Sequence, residues 1–291
     1  MEKIKFITDS ASDISLEDEA KYDILVLNYK ITVGDKGYIS RIDVNNEQFY
    51  EILENTPEIP KTSQIFTYEF LDVFENLYGD GYTHAIVTLI NKEASATFAN
   101  AEAAVEEFYS EHPEAKQRFR ITLIDGRSYT YAYGYPVIEA VKMADRGVSY
   151  DEIVRYINSW IKQAVVYFVP YTLKYAKKSG RIPGAVAVAG EALGIKPVMR
   201  IADHEIKNSE MVRGEKKVVP KLVEKTVSEI VPGTPYCTVF GNDEKHRDLI
   251  NEALTAAIGY PPARSVQIGP IISSHAGPKL CGVIFQSKLM S

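Results

Sequence analysis

Small hydroxyl residues gather in four segments of the first half of the sequence, at residues 9–13, 62–64, 91–97 and 125–128. All but the second directly follow a predicted strand, and α/β proteins place their ligands beyond the carboxyl ends of strands. Any one segment is most simply a helix N-cap or a turn. Four of them together favour a cradle for an anion, because hydroxyl groups can donate hydrogen bonds to an acidic group.

Motifs for several other chemistries are missing. The sequence has no G-x-G-x-x-G, no G-x-x-x-x-G-K-[ST] and no H-E-x-x-H, so nothing points to a dinucleotide, a P-loop nucleotide or a zincin site. The histidines are His84, His112, His204, His246 and His275. Their spacing is not that of metal ligands. We therefore expect no metal and no cofactor.

The elements that must position these residues alternate between strand-like and helix-like patterns, which is typical of the α/β class. The predicted strands cover residues 4–8, 24–33, 84–90, 119–124, 165–169, 196–201, 205–212, 236–240, 264–268 and 281–286. Asp203 and His204 carry a hairpin signal between two of them.

Residues 98–108 and 153–161 have the apolar spacing of amphipathic helices, and both stripes predict core packing. Ser149 and Glu152 have the capping-box pattern at the start of the second helix. Tyrosines alternate with small residues over 128–135 with a strand-like period, but Gly134 and Pro136 argue against a regular strand.

The chain has 291 residues, and its 33 Lys+Arg against 39 Asp+Glu give a formal net charge of −6. This length exceeds the roughly 250 residues at which a single core stops growing, so we expect two domains. We place them at residues 1–156 and 157–291. The acidic balance removes the driving force for binding a phosphate backbone, which excludes nucleic acid as a partner.

Three features predict a cytoplasmic protein. Cys237 and Cys281 cannot form a disulfide framework, so they are expected to be buried thiols in a reducing compartment. The N-terminus has the pattern of a strand and not of a signal peptide. The most apolar stretch, residues 164–169, is far shorter than the ~20 residues of a membrane span.

Six short motifs, in order along nearly the whole chain, resemble the DegV family. They are Thr8-Asp9-Ser10, Thr62-Ser63-Gln64, Ser95-Ala96-Thr97, Gly180-Arg181-Ile182, Ile195-Lys196-Pro197 and His275-Ala276-Gly277-Pro278. Each motif alone is weak, whereas the ordered set is specific.

The resemblance implies two α/β domains that hold one long-chain fatty acid, such as palmitate, stearate or oleate. Its carboxylate would lie at the domain interface and its acyl chain in a buried tunnel. In bacteria with a fatty acid kinase, proteins of this family present the acid for phosphorylation to acyl phosphate and are not themselves the catalyst. We therefore expect no catalytic residue, and a monomer that docks the kinase.

The resemblance also assigns residues to this site. The residues at the carboxylate would be Thr62, Ser63, Ser95 and His275, and the nearby loop residues would be Ser10, Thr97 and Gly277. Arg181 would lie on the exposed rim that meets the kinase. The chain has Ala96, Ser179 and Lys279 where the family commonly has glycine, so we expect differences in loop backbone and pocket shape.

Two other functions stay open. Ser95 as a nucleophile with His275 as its base would make an acyl hydrolase, although no G-x-S-x-G elbow surrounds Ser95. The same hydroxyl-rich segments would also suit a small polar or phosphorylated metabolite.

Overall fold

Two units make up the computed structural model, which describes residues 2–180 and 194–290. The first unit comprises Met1–Lys30 and Ser63–Ile161, and the second comprises Ile31–Thr62 and Lys162–Ser291. The expected domains, 1–156 and 157–291, differ from this division chiefly in residues 31–62, which belong to the second unit.

A parallel sheet lies at the centre of the first unit. Its strands are β1 (Ile4–Asp9), β2 (Leu25–Leu27), β6 (His84–Leu89) and β7 (Arg120–Asp125). They run parallel in the order β2–β1–β6–β7. Since the carboxyl ends of parallel strands lie at the same edge of a sheet, the segments 9–13, 91–97 and 125–128 all lie at that edge. Consecutive apolar residues of β6 are buried, as is typical of a parallel sheet covered by helices.

The helices of the first unit are α1 (Leu16–Lys21), α3 (Thr67–Gly79), α4 (Thr97–Glu111), α5 (Tyr131–Asp145) and α6 (Tyr150–Gln163), the last of which ends in the second unit. Helices α4 and α6 confirm the two predicted amphipathic stretches. The Ser149 hydroxyl donates to the Glu152 carboxylate over 2.6 Å. This contact supports the predicted start of α6.

The second unit contains a mixed sheet. Its strands are β8 (Ala164–Pro170), β9 (Ile195–Ala202), β10 (Glu205–Arg213), β11 (Tyr236–Phe240), β12 (Arg264–Gln267) and β13 (Leu280–Gln286). The order is β10–β9–β8–β13–β11–β12, and the β11–β12 pair is parallel. Asp203 and His204, with φ of 45° and 74°, turn β9 into β10 and confirm the predicted hairpin.

Besides a helix in residues 31–62, the second unit has four α-helices within the described ranges, and each follows one of these strands along the chain. They are α7 (Lys174–Ser179), α8 (Val218–Glu229), α9 (Glu244–Ile258) and α10 (Pro270–Ala276). Both cysteines are buried, and neither forms a disulfide. No helix in either described range is long and apolar enough to cross a membrane.

Residues 31–62 form helix α2 and a small sheet, and helix α2 contacts α10 of the second unit. The elements are β3 (Lys30–Val33), β4 (Lys36–Ile39), α2 (Asn46–Asn55) and β5 (Lys61–Ser63), with sheet order β4–β3–β5. The buried face of α2 provides the physical reason why residues 31–62 belong to the second unit. The Tyr50 hydroxyl donates to the Ile268 carbonyl, and the Tyr175 hydroxyl donates to the Leu53 carbonyl over 3.0 Å.

Candidate functional site

Ser95 lies at the carboxyl edge of the first unit's sheet, between β6 and α4, and Thr97 is the first residue of α4. The Ser95 hydroxyl donates to Thr97 Oγ1 over 3.0 Å, and the Thr97 backbone N–H donates to Ser95 Oγ over 3.3 Å. The Ile65 backbone N–H donates to Thr97 Oγ1 over 3.2 Å. Thr97 is buried while Ser95 is half-buried. Ser95 is therefore the member of this pair that a ligand can reach.

Tyr29 adds a third hydroxyl to this group. It follows β2, it is buried, and its hydroxyl oxygen lies 3.3 Å from Ser95 Oγ. The Tyr29 backbone N–H donates to Ser10 Oγ over 3.0 Å. Ser10, which the resemblance placed in a nearby loop, thus fixes the segment that carries Tyr29.

Asp9 is a fully buried carboxyl that interacts electrostatically with Tyr29. It accepts hydrogen bonds from the Tyr133 hydroxyl over 2.7 Å, from Ile90 N–H over 2.8 Å and from Ala11 N–H over 2.9 Å. Burial raises the pKa of Asp9 from 3.8 to about 6, although these three hydrogen bonds lower it. Burial and the nearby Asp9 carboxylate also raise the pKa of the Tyr29 hydroxyl well above its ordinary value. Tyr29 is therefore protonated at neutral pH and remains able to donate.

The second unit brings together Thr62 and His275. Thr62 lies in β5 and His275 in the last turn of α10, and Thr62 Oγ1 is 3.1 Å from His275 Nε2. Both side chains are half-buried. A hydroxyl paired with an imidazole can donate to, or accept from, a polar group that reaches this place.

Tight backbone packing fixes the loop after His275. Gly277 has a φ of +89°, and a Cβ there would lie 2.9 Å from Tyr175 Cδ2. The Asn242 N–H donates to the Pro278 carbonyl over 2.8 Å, and the Gly241 N–H donates to the Leu280 carbonyl over 3.0 Å. A Cβ on Gly241 would overlap the Pro278 carbonyl oxygen. Gly277 therefore occupies a closely packed position directly after α10.

Two of the expected residues have fewer described contacts. Ser63 is half-buried at the end of β5. Arg181, the expected docking residue, lies outside the described residues. The neighbouring Lys177 and Lys178 are exposed in the last turn of α7.

One cluster of side chains in the first unit consists of residue types that can bind a metal ion. Potential ligand atoms of Glu75, Glu111 and His112 all lie within 4.8 Å of one another. His112 Nε2 lies 2.8 Å from Glu75 Oε1 and His112 Nδ1 lies 3.7 Å from Glu114 Oε1. These distances describe contacts between a histidine and neighbouring carboxylates, and such contacts are common on surfaces without a metal.

Sequence reasoning missed Tyr29, because no motif contains it and 66 residues separate it from Ser95. The available signal was its position directly after a strand of the parallel sheet, where ligand-facing groups collect.

The match to known families extends over nearly the whole chain. Residues 3–288 match the family model described as "Uncharacterised protein, DegV family". A DegV domain-containing protein of Clostridium acetobutylicum is 30% identical, with 99% of this chain and 100% of the relative covered. The chain belongs to the DegV family. The resemblance inferred from six motifs is thereby confirmed.

Solved DegV structures share this fold. A fatty-acid-binding DegV family protein from Thermus thermophilus superposes with a TM-score of 0.86 at 23% identity, covering 98% of this chain and 99% of that one. A stearic-acid-binding protein from Eubacterium ventriosum gives 0.86 at 22% identity, with 98% of each chain covered. A fatty-acid-binding DegV family protein from Streptococcus agalactiae gives 0.85 at 26% identity, over 99% of this chain and 100% of that one. The predicted α/β class is confirmed.

Proposed function

We propose that this DegV protein binds one long-chain fatty acid and presents it to a fatty acid kinase. The observation that carries the proposal is its full-length likeness, at 26% identity, to a DegV family protein described as fatty-acid-binding. We further propose that the protein acts in the cytoplasm as a monomer and does no chemistry itself.

The carboxylate of the acid would accept hydrogen bonds from Ser95 and Thr62, with Ser63 and His275 beside it. A buried carboxylate must be hydrogen-bonded, and hydroxyl donors satisfy it without pairing it to a fixed cation. Among the described residues, Ser95 Oγ has hydrogen bonds to Tyr29 and Thr97 and to no histidine or carboxylate. This environment favours a binding role for Ser95 over that of an activated nucleophile.

The acyl chain would supply most of the binding free energy. Burying about 14 methylenes of a C16 chain at roughly 0.8 kcal/mol each gives on the order of 11 kcal/mol before the unfavourable association terms. The head-group contacts would then select an acid over other lipids of equal length.

Presentation to the kinase leaves the chemistry to the partner. A carboxylate oxygen of the bound acid would attack the γ-phosphorus of ATP, the bond to the β-phosphate oxygen would break, and acyl phosphate and ADP would result. The DegV protein would hold the carboxylate without pairing it to a fixed cation. The carboxylate oxygen would therefore remain nucleophilic.

We expect organic extracts of the purified protein to contain a saturated or monounsaturated acid of roughly C14 to C18, a size that suits ordinary ligand pockets. Mass spectrometry of the extract identifies the acid, and native mass spectrometry gives its stoichiometry. A protein that stays empty after incubation with palmitate and with oleate would contradict the proposal. A polar metabolite in the extract would support the metabolite-binding alternative instead.

Ser95→Ala is expected to weaken palmitate binding by about 1.5–3 kcal/mol, the range for a hydrogen bond to a charged group. Thr62→Ala should have a similar effect, and the two should not add, because both hydroxyls would serve one carboxylate. Isothermal titration calorimetry measures both. Thr83→Ala is the matched control, since its hydroxyl bonds to Lys3 at the opposite edge of the same sheet. Unchanged affinity in both Ser95→Ala and Thr62→Ala would remove the head-group assignment.

Arg181→Ala and Lys178→Glu are expected to lower the rate of acyl-phosphate formation with kinase and ATP while leaving palmitate affinity unchanged. The loss should be larger at low ionic strength, because salt screens attraction between charged surfaces. Lys207→Glu, a charge reversal at another exposed lysine of the second unit, should leave the rate unchanged. Equal rates for all variants at two salt concentrations would withdraw the docking role.

A further inference from the structure

Tyr29 is a buried tyrosine whose hydroxyl contacts Ser95. Of the three hydroxyl residues Tyr29, Ser95 and Thr97, Ser95 is the one that is half-buried. The Tyr29 hydroxyl oxygen lies 3.3 Å from Ser95 Oγ. Tyr29 is only 4% exposed, so the position of its ring is set by packing. Its backbone is also held, through the hydrogen bond from Tyr29 N–H to Ser10 Oγ at 3.0 Å.

The hydrogen-bonding capacity of Ser95 gives this contact a direction. A serine hydroxyl has one proton and two lone pairs. The Thr97 N–H already occupies one lone pair at 3.3 Å, and the Ser95 proton points to Thr97 Oγ1 at 3.0 Å. Thr97 Oγ1 also accepts from Ile65 N–H. A carboxylate can therefore receive the Ser95 proton only when that proton leaves Thr97.

We infer that Tyr29 is a positioning residue that donates its hydroxyl proton to Ser95 Oγ and so directs the Ser95 proton toward a ligand carboxylate. With Tyr29 and Thr97 N–H as donors, both lone pairs of Ser95 are filled, so its single proton cannot be given to Tyr29 and can turn from Thr97 Oγ1 to the ligand carboxylate. A donor at Ser95 Oγ also polarises its O–H bond, which strengthens the bond given to an anion. The raised pKa of Tyr29 keeps the required proton in place.

This inference rests on the proposed fatty-acid function and extends it to a specificity role. The Tyr29–Ser95 relay matters for a charged carboxylate and much less for a neutral head group, because hydrogen bonds to ionised acceptors are roughly twice as strong. Tyr29 would thus help the protein to distinguish an acid from an alcohol of the same length, without touching either.

The test compares palmitate with hexadecan-1-ol on the ligand-stripped full chain. The variants are Tyr29→Phe, Ser95→Ala and the double variant. Tyr29→Phe keeps the ring that fills the buried position. Tyr109→Phe is the matched control, because the Tyr109 hydroxyl bonds the backbone of Phe119 and Ile121 in the same unit and not Ser95.

Tyr29→Phe should weaken palmitate binding roughly three- to tenfold and hexadecan-1-ol binding by less than about twofold. In the Ser95→Ala background, Tyr29→Phe should add nothing further. Equal weakening of both ligands, an undiminished effect in the Ser95→Ala background, or the same ligand pattern in Tyr109→Phe would overturn the inference. A wild type that binds no palmitate removes the proposed function, and this inference with it, whereas normal wild-type binding with an unaffected Tyr29→Phe removes the inference alone.

Discussion

Gly241→Ala should lower the free energy of unfolding by about 3 kcal/mol or more, at the upper end of the effect of overpacking a core. Gly241 directly follows β11, and a Cβ there would overlap the Pro278 carbonyl oxygen and lie 2.8 Å from the Pro278 carbonyl carbon. Both atoms belong to the backbone, so no side-chain rotation relieves the clash. Urea denaturation followed by circular dichroism measures the loss.

The same substitution should also weaken palmitate binding. Relieving the clash requires the chain near Pro278 to move, and the Asn242 N–H bond to the Pro278 carbonyl would be disturbed with it. His275 lies three residues before Pro278 on this stretch. Gly37→Ala, in β4 of the same unit, is the control because a Cβ there meets nothing within 4 Å. If Gly241→Ala were as stable as Gly37→Ala, the described packing of these two segments would be incorrect.

Asp9 should make the protein less stable as the pH rises from about 4 to about 6. The folded-state pKa of Asp9, about 6, exceeds its ordinary value of 3.8. In this pH window the folded protein therefore binds more protons than the unfolded chain, so the free energy of unfolding falls with rising pH. The difference of about two pH units corresponds to about 3 kcal/mol. Well above pH 6, where Asp9 is ionised in the folded protein as well, the full unfavourable contribution is present and no longer changes.

Asp9→Asn is expected to abolish this contribution, although its amide would face the Ile90 N–H and reduce stability overall. The informative quantity is the difference in unfolding free energy between variant and wild type, measured from pH 4 to pH 7. That difference should shift in favour of the variant by about 3 kcal/mol as the pH rises. Asp145→Asn, which removes an exposed carboxylate, should give a profile parallel to wild type. A parallel profile for Asp9→Asn would contradict the assignment.

Sequence periodicity predicted the long elements and missed those whose pattern is short or polar. Residues 24–33 were predicted as one strand, but they form β2 and β3, which pair with different sheets. Strand β5 has the sequence Lys61-Thr62-Ser63, which is too short to show a detectable alternation of polar and apolar residues. Strand β4 has only four residues and is missed for the same reason. Such strands are specified by their neighbours and not by their own residues.

The tyrosine-rich stretch shows how tertiary contacts override a local pattern. Its alternation is strand-like, yet residues 131–145 form α5 with Pro136 inside it. Proline has no N–H to bond the carbonyl four residues earlier. That carbonyl, of Ala132, instead accepts from the Trp160 indole N–H over 2.9 Å. The sequence of residues 128–136 alone cannot predict this hydrogen bond, because its donor, Trp160, lies outside the stretch.

The candidate site was predictable where its residues are close in the chain. The Ser95–Thr97 contact spans two residues and follows from the motif, whereas the Thr62–His275 pair spans 213 residues. The resemblance brought Thr62 and His275 to one site without predicting their direct contact. Tyr29 and the buried state of Asp9 required the folded sheet, because both depend on which strands lie side by side.

The chain passes from one unit to the other at residues 30/31, 62/63 and 161/162, and this has a practical consequence for dissecting the protein. A fragment ending at residue 156 would retain α2 but lose Ile268 and Tyr175, and the buried side chains Phe49, Tyr50 and Leu53 would face solvent. Such a fragment would be prone to aggregate. Separate expression of the second unit calls for an engineered gene that splices residues 31–62 to residues 162–291, and separate expression of the first calls for a short linker across the excised segment.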